Sequence, residues 1–353
     1  MIFFDVTHAG SQSHRSGLMR VSERLRSELA EIAPNGVIEV AWSRWRRGWV
    51  ASRFGKCVRL GQGDVLVTPE LFCERERPGL HEWLSQNGGR AMALFHDAIP
   101  LRLPEITWPQ SVARHPDYMR MLARFGRIAA ISHSSARELT DYWRQNGITT
   151  ATNVRPIQLG ADGARRMRID RMPQRTASRE VVMLGIVEPR KNQELVLDAA
   201  EALHAEGVEF SVSFVGRVNP HFGRGTAQRI ERLVRRGLPV RHLQKIDDSG
   251  LAALLERARF SVFPSRAEGC GLPVLESLWA GVPVLASALA PIEESAAGGG
   301  CRLVADGDRD GFVEAMRRML IDDAYVESLM VEACARPLPT WRQTAVELLN
   351  LLA

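Results

Sequence analysis

Short apolar runs alternate with amphipathic stretches along most of the chain, a pattern that predicts strands and helices in turn. Residues 2–6 read as a buried strand, followed by a polar, glycine-containing loop over 7–17. A helix follows with Leu18, Val21, Leu25, Leu29 and Ile32 on one face. Residues 37–42, 65–67, 91–95 and 127–131 are further strand candidates, with a helical stretch at 80–84. After residue 131 the segment SHSSARELTDYW looks like a serine-capped amphipathic helix. Residues 165–179 are rich in arginine and lack periodicity, so they read as a linker. Beyond them the pattern restarts, with strands at 181–184, 210–215 and 240–243, one ending near Phe263 and one over 282–286. Leu195, Val196, Ala199 and Leu203 form one helical stripe, and Leu251, Leu254, Leu255 and Ala258 another; a basic surface helix lies at 227–236. The segment PTWRQTAVELLNLL closes the chain as an amphipathic helix. The alternation predicts an α/β protein with parallel sheets.

Length and composition add limits. At 353 residues and 45% hydrophobic, the chain is long enough for two domains, each with a core. No apolar run approaches the roughly 20 residues needed to cross a bilayer. The start, MIFFDVTHAG, has no basic leader and reads as a first strand, so a signal peptide is not expected. Five cysteines without a CxxC pair suggest neither zinc nor a disulfide framework, and a cytoplasmic chain is expected. A net charge of +5 pulls mildly toward phosphates or an anionic membrane surface and is too small to name nucleic acid. Residues 44–56, RWRRGWVASRFGK, interleave arginines with Trp45, Trp49 and Phe54. They fit a solvated hairpin or helix face with snorkelling arginines, or a peripheral membrane contact, and both of these better than a nucleic-acid platform.

The stretch FPSRAEGCGLPVLESLWAGVPVLAS, residues 263–287, carries the chemistry. It reads as a strand end, a glycine-interrupted loop holding Glu268, a helix opening at Pro273 and carrying Glu276, a stop at Gly281 and a second strand. Gly269 and Gly271 permit positive φ and close ligand approach, while Pro273 suits a first helical position. The helix start attracts a phosphate, and two carboxylates that cannot bind it would accept hydrogen bonds from hydroxyls. A lone glutamate would read as a solvated loop residue. Two glutamates, two glycines and a proline in fixed order describe a nucleotide-sugar site.

This segment resembles the donor-binding signature of the retaining glycosyltransferases of family 4. The resemblance spans nearly the whole chain and is closest over residues 181–295. It implies the GT-B architecture: two facing Rossmann-like domains, residues 1–163 and 164–337, with 338–353 crossing back onto the first and the active site between them. It assigns Glu268 to the donor sugar, with Gly269, Gly271 and Leu272 beside it, and Glu276 to the ribose. In EPRKN after the strand glycine Gly185, it puts Lys191 and Arg190 on the diphosphate, where cations offset developing charge. Many members have an arginine directly after that glycine; here Ile186 stands there. Gly216 marks an approach to the nucleotide and Gly17 a glycine loop near the donor phosphates. His96, in FHDAIPLRLPE, would face the donor sugar, with Ser132 and Ser135 near the donor cleft.

The implied reaction is retaining, metal-independent transfer of a mannose-type or similar hexose from a nucleotide diphosphate sugar to a glycan or lipid-linked acceptor, in surface polysaccharide synthesis. No cofactor, metal or nucleic acid is implied. The run Asp306, Asp308, Asp310, Gly311 resembles a calcium-loop opening, but Arg317 stands where the bidentate glutamate belongs, so it reads as a helix cap. Two alternatives stay open. A nucleotide-sugar epimerase would convert donor without acceptor; a non-catalytic nucleotide-sugar-binding protein would turn over nothing.

Overall fold

The computed structural model describes residues 1–8, 17–51, 55, 57–163, 167–170 and 178–352. Most of the polar loop over 7–17, residues 52–54 and 56 of the basic-aromatic stretch, and most of the arginine-rich linker lie outside the described residues. The chain forms two compact units, Met1–Gly160 with Pro339–Ala353, and Ala161–Leu338.

The first unit holds a sheet of β1 (Ile2–Asp5), β2 (Val37–Ser43), β3 (Gly48–Ala51), β4 (Val65–Thr68), β5 (Ala91–Phe95), β6 (Arg127–Ala130) and β7 (Asn153–Pro156). Their order is β3-β2-β1-β4-β5-β6-β7. All neighbours are parallel except β2 and β3, which form an antiparallel hairpin pairing Trp42 with Trp49. The described part of residues 44–56 is therefore a hairpin, not a helix. β5 is buried along its whole length, as a central parallel strand covered on both faces must be. The terminal helix Trp341–Leu352 belongs to this unit and packs on the helix Gly17–Ile32. Gly160 permits that return, because a Cβ there would lie 2.3 Å from the Trp341 backbone nitrogen.

The second unit holds β8 (Glu180–Leu184), β9 (Ser211–Val215), β10 (Val240–Leu243), β11 (Ala258–Phe263), β12 (Val284–Ser287) and β13 (Cys301–Val304). The order is β10-β9-β8-β11-β12-β13, and every pairing is parallel. Its main core joins Met183, Phe214 and Phe260 of the sheet to Val196 and Leu203 of the helix Gln193–Ala205 and to Phe312 and Met316 of the helix Arg309–Ile321. Each such large side chain contributes about 1.5–3 kcal/mol by leaving water. Asp308 caps the last of these helices by accepting from the Gly311 amide, which settles the aspartate run as a cap. Ser132 caps the helix His133–Gln145 in the same way.

Both sheets reverse their winding once, between β1 and β4 in the first unit and between β8 and β11 in the second. Loops diverge at the carboxyl ends of such a strand pair, opening a crevice where ligands bind in open α/β sheets.

Candidate functional site

In the second unit the loops after β8 and β11 meet at that reversal point. β8 is followed by Gly185, whose φ of 148° few side chains tolerate. A Cβ on Gly216, the residue after β9, would lie 2.2 Å from the Gly185 carbonyl oxygen, so the two strand ends approach through glycines. The β8 loop then makes one tight turn, Pro189–Lys191, before the helix Gln193–Ala205. Asn192 joins them in the left-handed conformation (φ 59°), which asparagine accepts more readily than most residues.

That turn aims two cations at the β11 loop. Lys191 Nζ lies 2.6 Å from Glu268 Oε1 and 4.5 Å from the centre of the Phe263 ring. Arg190 Nη1 donates to the same oxygen at 3.0 Å and to the Ala267 carbonyl at 3.0 Å. The Arg266 amide donates back to the Arg190 carbonyl at 2.8 Å, so the loops are joined by backbone as well as by charge. On its other side Arg190 contacts Glu188 Oε1, and Glu188 Oε2 accepts from Asn219 Nδ2 at 2.9 Å. The β9 loop is thereby tied into the same knot.

Lys191 and Glu268 are each more than nine-tenths buried at the side chain. Burial draws the Lys191 ammonium below its ordinary range, opposed by the attraction of Glu268. Burial alone would push Glu268 up; Lys191 and then Arg190 outweigh it and hold the carboxyl below its usual range. Glu268 is therefore ionised at neutral pH, with Lys191 Nζ held against it.

The helix Leu272–Trp279 starts directly after this loop, with Gly271 at its cap in the left-handed conformation (φ 74°). A Cβ at Gly271 would press 2.5 Å from the Ile292 side chain. Gly269 and Leu272 are buried beside it. Glu276 is 8% exposed within this helix, and its carboxylate occupies the space where a Gly163 Cβ would be, 2.5 Å away. One unit thus brings together Lys191, Arg190, Glu268 and the amino terminus of the helix that carries Glu276.

His96 and Gly17 belong to the first unit. His96 follows β5 and is buried, with Nε2 2.9 Å from the Pro69 carbonyl. A carbonyl only accepts, so Nε2 carries the proton and Nδ1 is left as an acceptor. Ser135 donates to the His96 carbonyl at 2.7 Å and Ser132 contacts Ser135, so both serines hold the histidine backbone. Gly17 opens the helix Gly17–Ile32 and has nothing within 4 Å of where a Cβ would be.

Burial lowers the pKa of His96, His115 and His8 from the ordinary 6.5, against a smaller raising effect of Asp97 on the first two. In each case the unfolded chain takes up the proton first. Their contribution to stability is therefore complete above about pH 6.5 and falls as pH drops toward the lowered folded values. Urea midpoints measured on either side of that point should show the loss, and His96→Gln should reduce it.

Sequence reasoning passed over Glu188, Asn219 and a buried cluster in the first unit: Asp5, Thr68, Glu70 and Arg77. Arg77 Nη1 lies 2.6 Å from Asp5 Oδ2 and Nη2 2.7 Å from Glu70 Oε2, and Thr68 Oγ1 donates to Asp5 at 2.6 Å. These residues sit at or after β1 and β4, the reversal point of that sheet.

Residues 178–322 match the family model "Glycosyl transferases group 1". Over 315 residues, 80% of the chain, it is 26% identical to the serotype-specific mannosyltransferase WbdA of Escherichia coli. It spans 37% of that protein's length. It is 31% identical over 175 residues to the O-antigen chain mannosyltransferase B of Escherichia coli, covering 47% of this chain and 44% of that one. Among solved structures, the sucrose-phosphate synthase of Thermosynechococcus elongatus superposes with a TM-score of 0.70 at 17% identity, covering 99% of this chain and 97% of that one. The fold is GT-B.

Proposed function

We propose that this chain, whose residues 178–322 belong to the glycosyl transferases group 1 family, is a retaining glycosyltransferase that moves a hexose from a nucleotide diphosphate sugar to a glycan or lipid-linked acceptor. The observation that carries the reading is the buried knot of Lys191, Arg190 and Glu268 beside the start of the helix Leu272–Trp279. The mannosyltransferase relatives favour a mannose-type donor and a role in surface polysaccharide synthesis.

In this reading the donor diphosphate takes over Lys191. Its charge is better matched to the ammonium and the helix amides than the single carboxylate that holds Lys191 at rest. Glu268, released from the ammonium and kept ionised by Arg190, accepts hydrogen bonds from sugar hydroxyls. Arg190 stays anchored by Glu188 and adds positive potential. Glu276 accepts from the ribose. The bond from the anomeric carbon to the phosphate oxygen breaks while the acceptor oxygen bonds to the same face. The departing phosphate oxygen takes the acceptor proton, and the nucleoside diphosphate leaves. The cations and helix amides stabilise the charge developing on that leaving group, so the reaction is assigned no metal.

A panel of nucleoside diphosphates and their sugars should raise the melting temperature for at least one base, since a ligand bound only by the folded state stabilises it. Turnover should then need an acceptor and survive chelators. Glu268→Gln separates the roles: without the competing carboxylate, nucleoside diphosphate binds as well as or better than before, while transfer falls by more than about tenfold. Equal losses of binding and transfer in that variant would show that the carboxylate does not compete with the diphosphate. No response to any nucleotide would remove the assignment.

A further inference from the structure

The turn between β2 and β3, residues 44–47, has the sequence Arg-Trp-Arg-Arg, and all four residues are exposed. Trp45 is 89% exposed, whereas Trp42 and Trp49 directly beneath it are 5% and 2% exposed. Those two rings pack edge to face at 5.2 Å, and Trp49 meets Trp83 at 6.0 Å, also edge to face. The hairpin therefore stands on a buried aromatic base that fixes its direction, with one indole left outside.

The charge around that indole has one sign. Between Glu39 and Asp64 the sequence contains six Arg and Lys and no acid. Arg46 donates to the Gly55 carbonyl at 2.6 Å, and Arg44 reaches the Arg75 carbonyl at 3.5 Å. Both acceptors are neutral, so the charge stays uncompensated, and none of Arg44, Arg46 and Arg47 joins a salt bridge among the described residues. Arg59 and Arg75 are exposed as well. Glu74 and Glu76, the nearest acids in sequence to Arg75, are engaged elsewhere: Glu74 by the Gly79 and His81 amides, Glu76 by Arg114.

We infer that this hairpin tip is a docking surface for an anionic lipid bilayer, with Trp45 entering the headgroup region and the flanking arginines held by lipid phosphates. An exposed indole flanked by exposed arginines matches the amphipathic interface of a bilayer, where tryptophan is favoured and basic residues gain from the negative surface potential. Nucleic acid fits less well, because single-strand platforms stack successive bases on several aromatics, and among the described residues of this stretch one is exposed. No described helix is long and apolar enough to cross a membrane, so the contact is peripheral. The inference stands apart from the nucleotide site and from its reading.

The test is co-sedimentation of the whole chain with vesicles of phosphatidylcholine, with and without phosphatidylglycerol. Binding should require phosphatidylglycerol, weaken with salt, and fall by about tenfold or more in Trp45→Ser and in Arg44→Gln/Arg46→Gln/Arg47→Asn. Asparagine is chosen at 47 because that residue holds φ at 49°. Brominated lipid should quench part of the wild-type tryptophan emission and lose that part in Trp45→Phe. The melting temperature of the protein without ligand should be unchanged in every variant, which confirms their folding. Failure of the wild type to bind anionic vesicles, or full binding by both variants, overturns the proposal. So does equal retention of dextran sulfate by wild type and Trp45→Ser without vesicle binding, which would assign the patch to soluble polyanions.

Discussion

Lys191→Ala should lower turnover with a nucleotide diphosphate sugar by about a hundredfold or more, the usual cost of removing a donor aimed at developing charge. Two losses combine. The leaving diphosphate loses the buried cation that would offset its charge, and Glu268 loses its 2.6 Å partner. Arg190 still contacts Glu268 at 3.0 Å, so the carboxylate is not wholly abandoned. The stability cost is therefore set below the roughly 3–5 kcal/mol of a fully broken buried pair, at about 1–3 kcal/mol. Steady-state kinetics on folded protein separates the two effects. Lys191→Arg keeps a charge but must fit a planar group against the Phe263 ring, so it should recover nucleoside diphosphate binding more than turnover. Turnover of Lys191→Ala within about twofold of the wild type would place the chemistry elsewhere.

What made this site legible is its contiguity in the chain. Glu268, Gly271 and Glu276 fall within one strand–loop–helix segment, and Lys191 follows another strand within a few residues. Strand ends and turn residues are local signals, so the alternation also gave the parallel sheets and the two units. The strand β3 was harder to see, because Gly48–Ala51 is a short edge strand whose apolar residues were read with the arginines around them. Glu188 and Asn219 have no spacing relation that a sequence could show; their contact arises because Val187 and Val218 bridge across neighbouring loops. The same holds for Asp5 and Arg77, 72 positions apart. In the sequence an aspartate at a strand end and an arginine before Pro78 look like surface residues. Only the order of the strands, with β4 beside β1, buries them together.

That buried cluster yields the largest expected stability effect. Arg77 is 1% exposed and serves two carboxylates, Asp5 and Glu70, while its guanidinium lies 5.4 Å from the centres of the Trp49 and Phe72 rings. Asp5 also accepts from the Thr7 amide and hydroxyl, and Glu70 from the His8 amide at 2.8 and 2.9 Å. The cluster therefore fixes the first residues of the loop after β1. Arg77→Ala removes the cation that bridges both carboxylates and leaves a void between two aromatic rings. Breaking one buried pair costs about 3–5 kcal/mol, a large part of the 5–15 kcal/mol that stabilises a typical domain. Seven of the eight tryptophans belong to this unit, so urea unfolding followed by tryptophan emission reports on it. A companion variant, Arg77→Met with Asp5→Asn and Glu70→Gln, removes the stranded charges and should recover much of the loss, since a buried ion cluster can be replaced by neutral groups at little cost. If Arg77→Ala shifts the unfolding free energy by less than about 1 kcal/mol, the cluster is not buried as the geometry requires, because an unpaired interior carboxylate cannot be tolerated so cheaply.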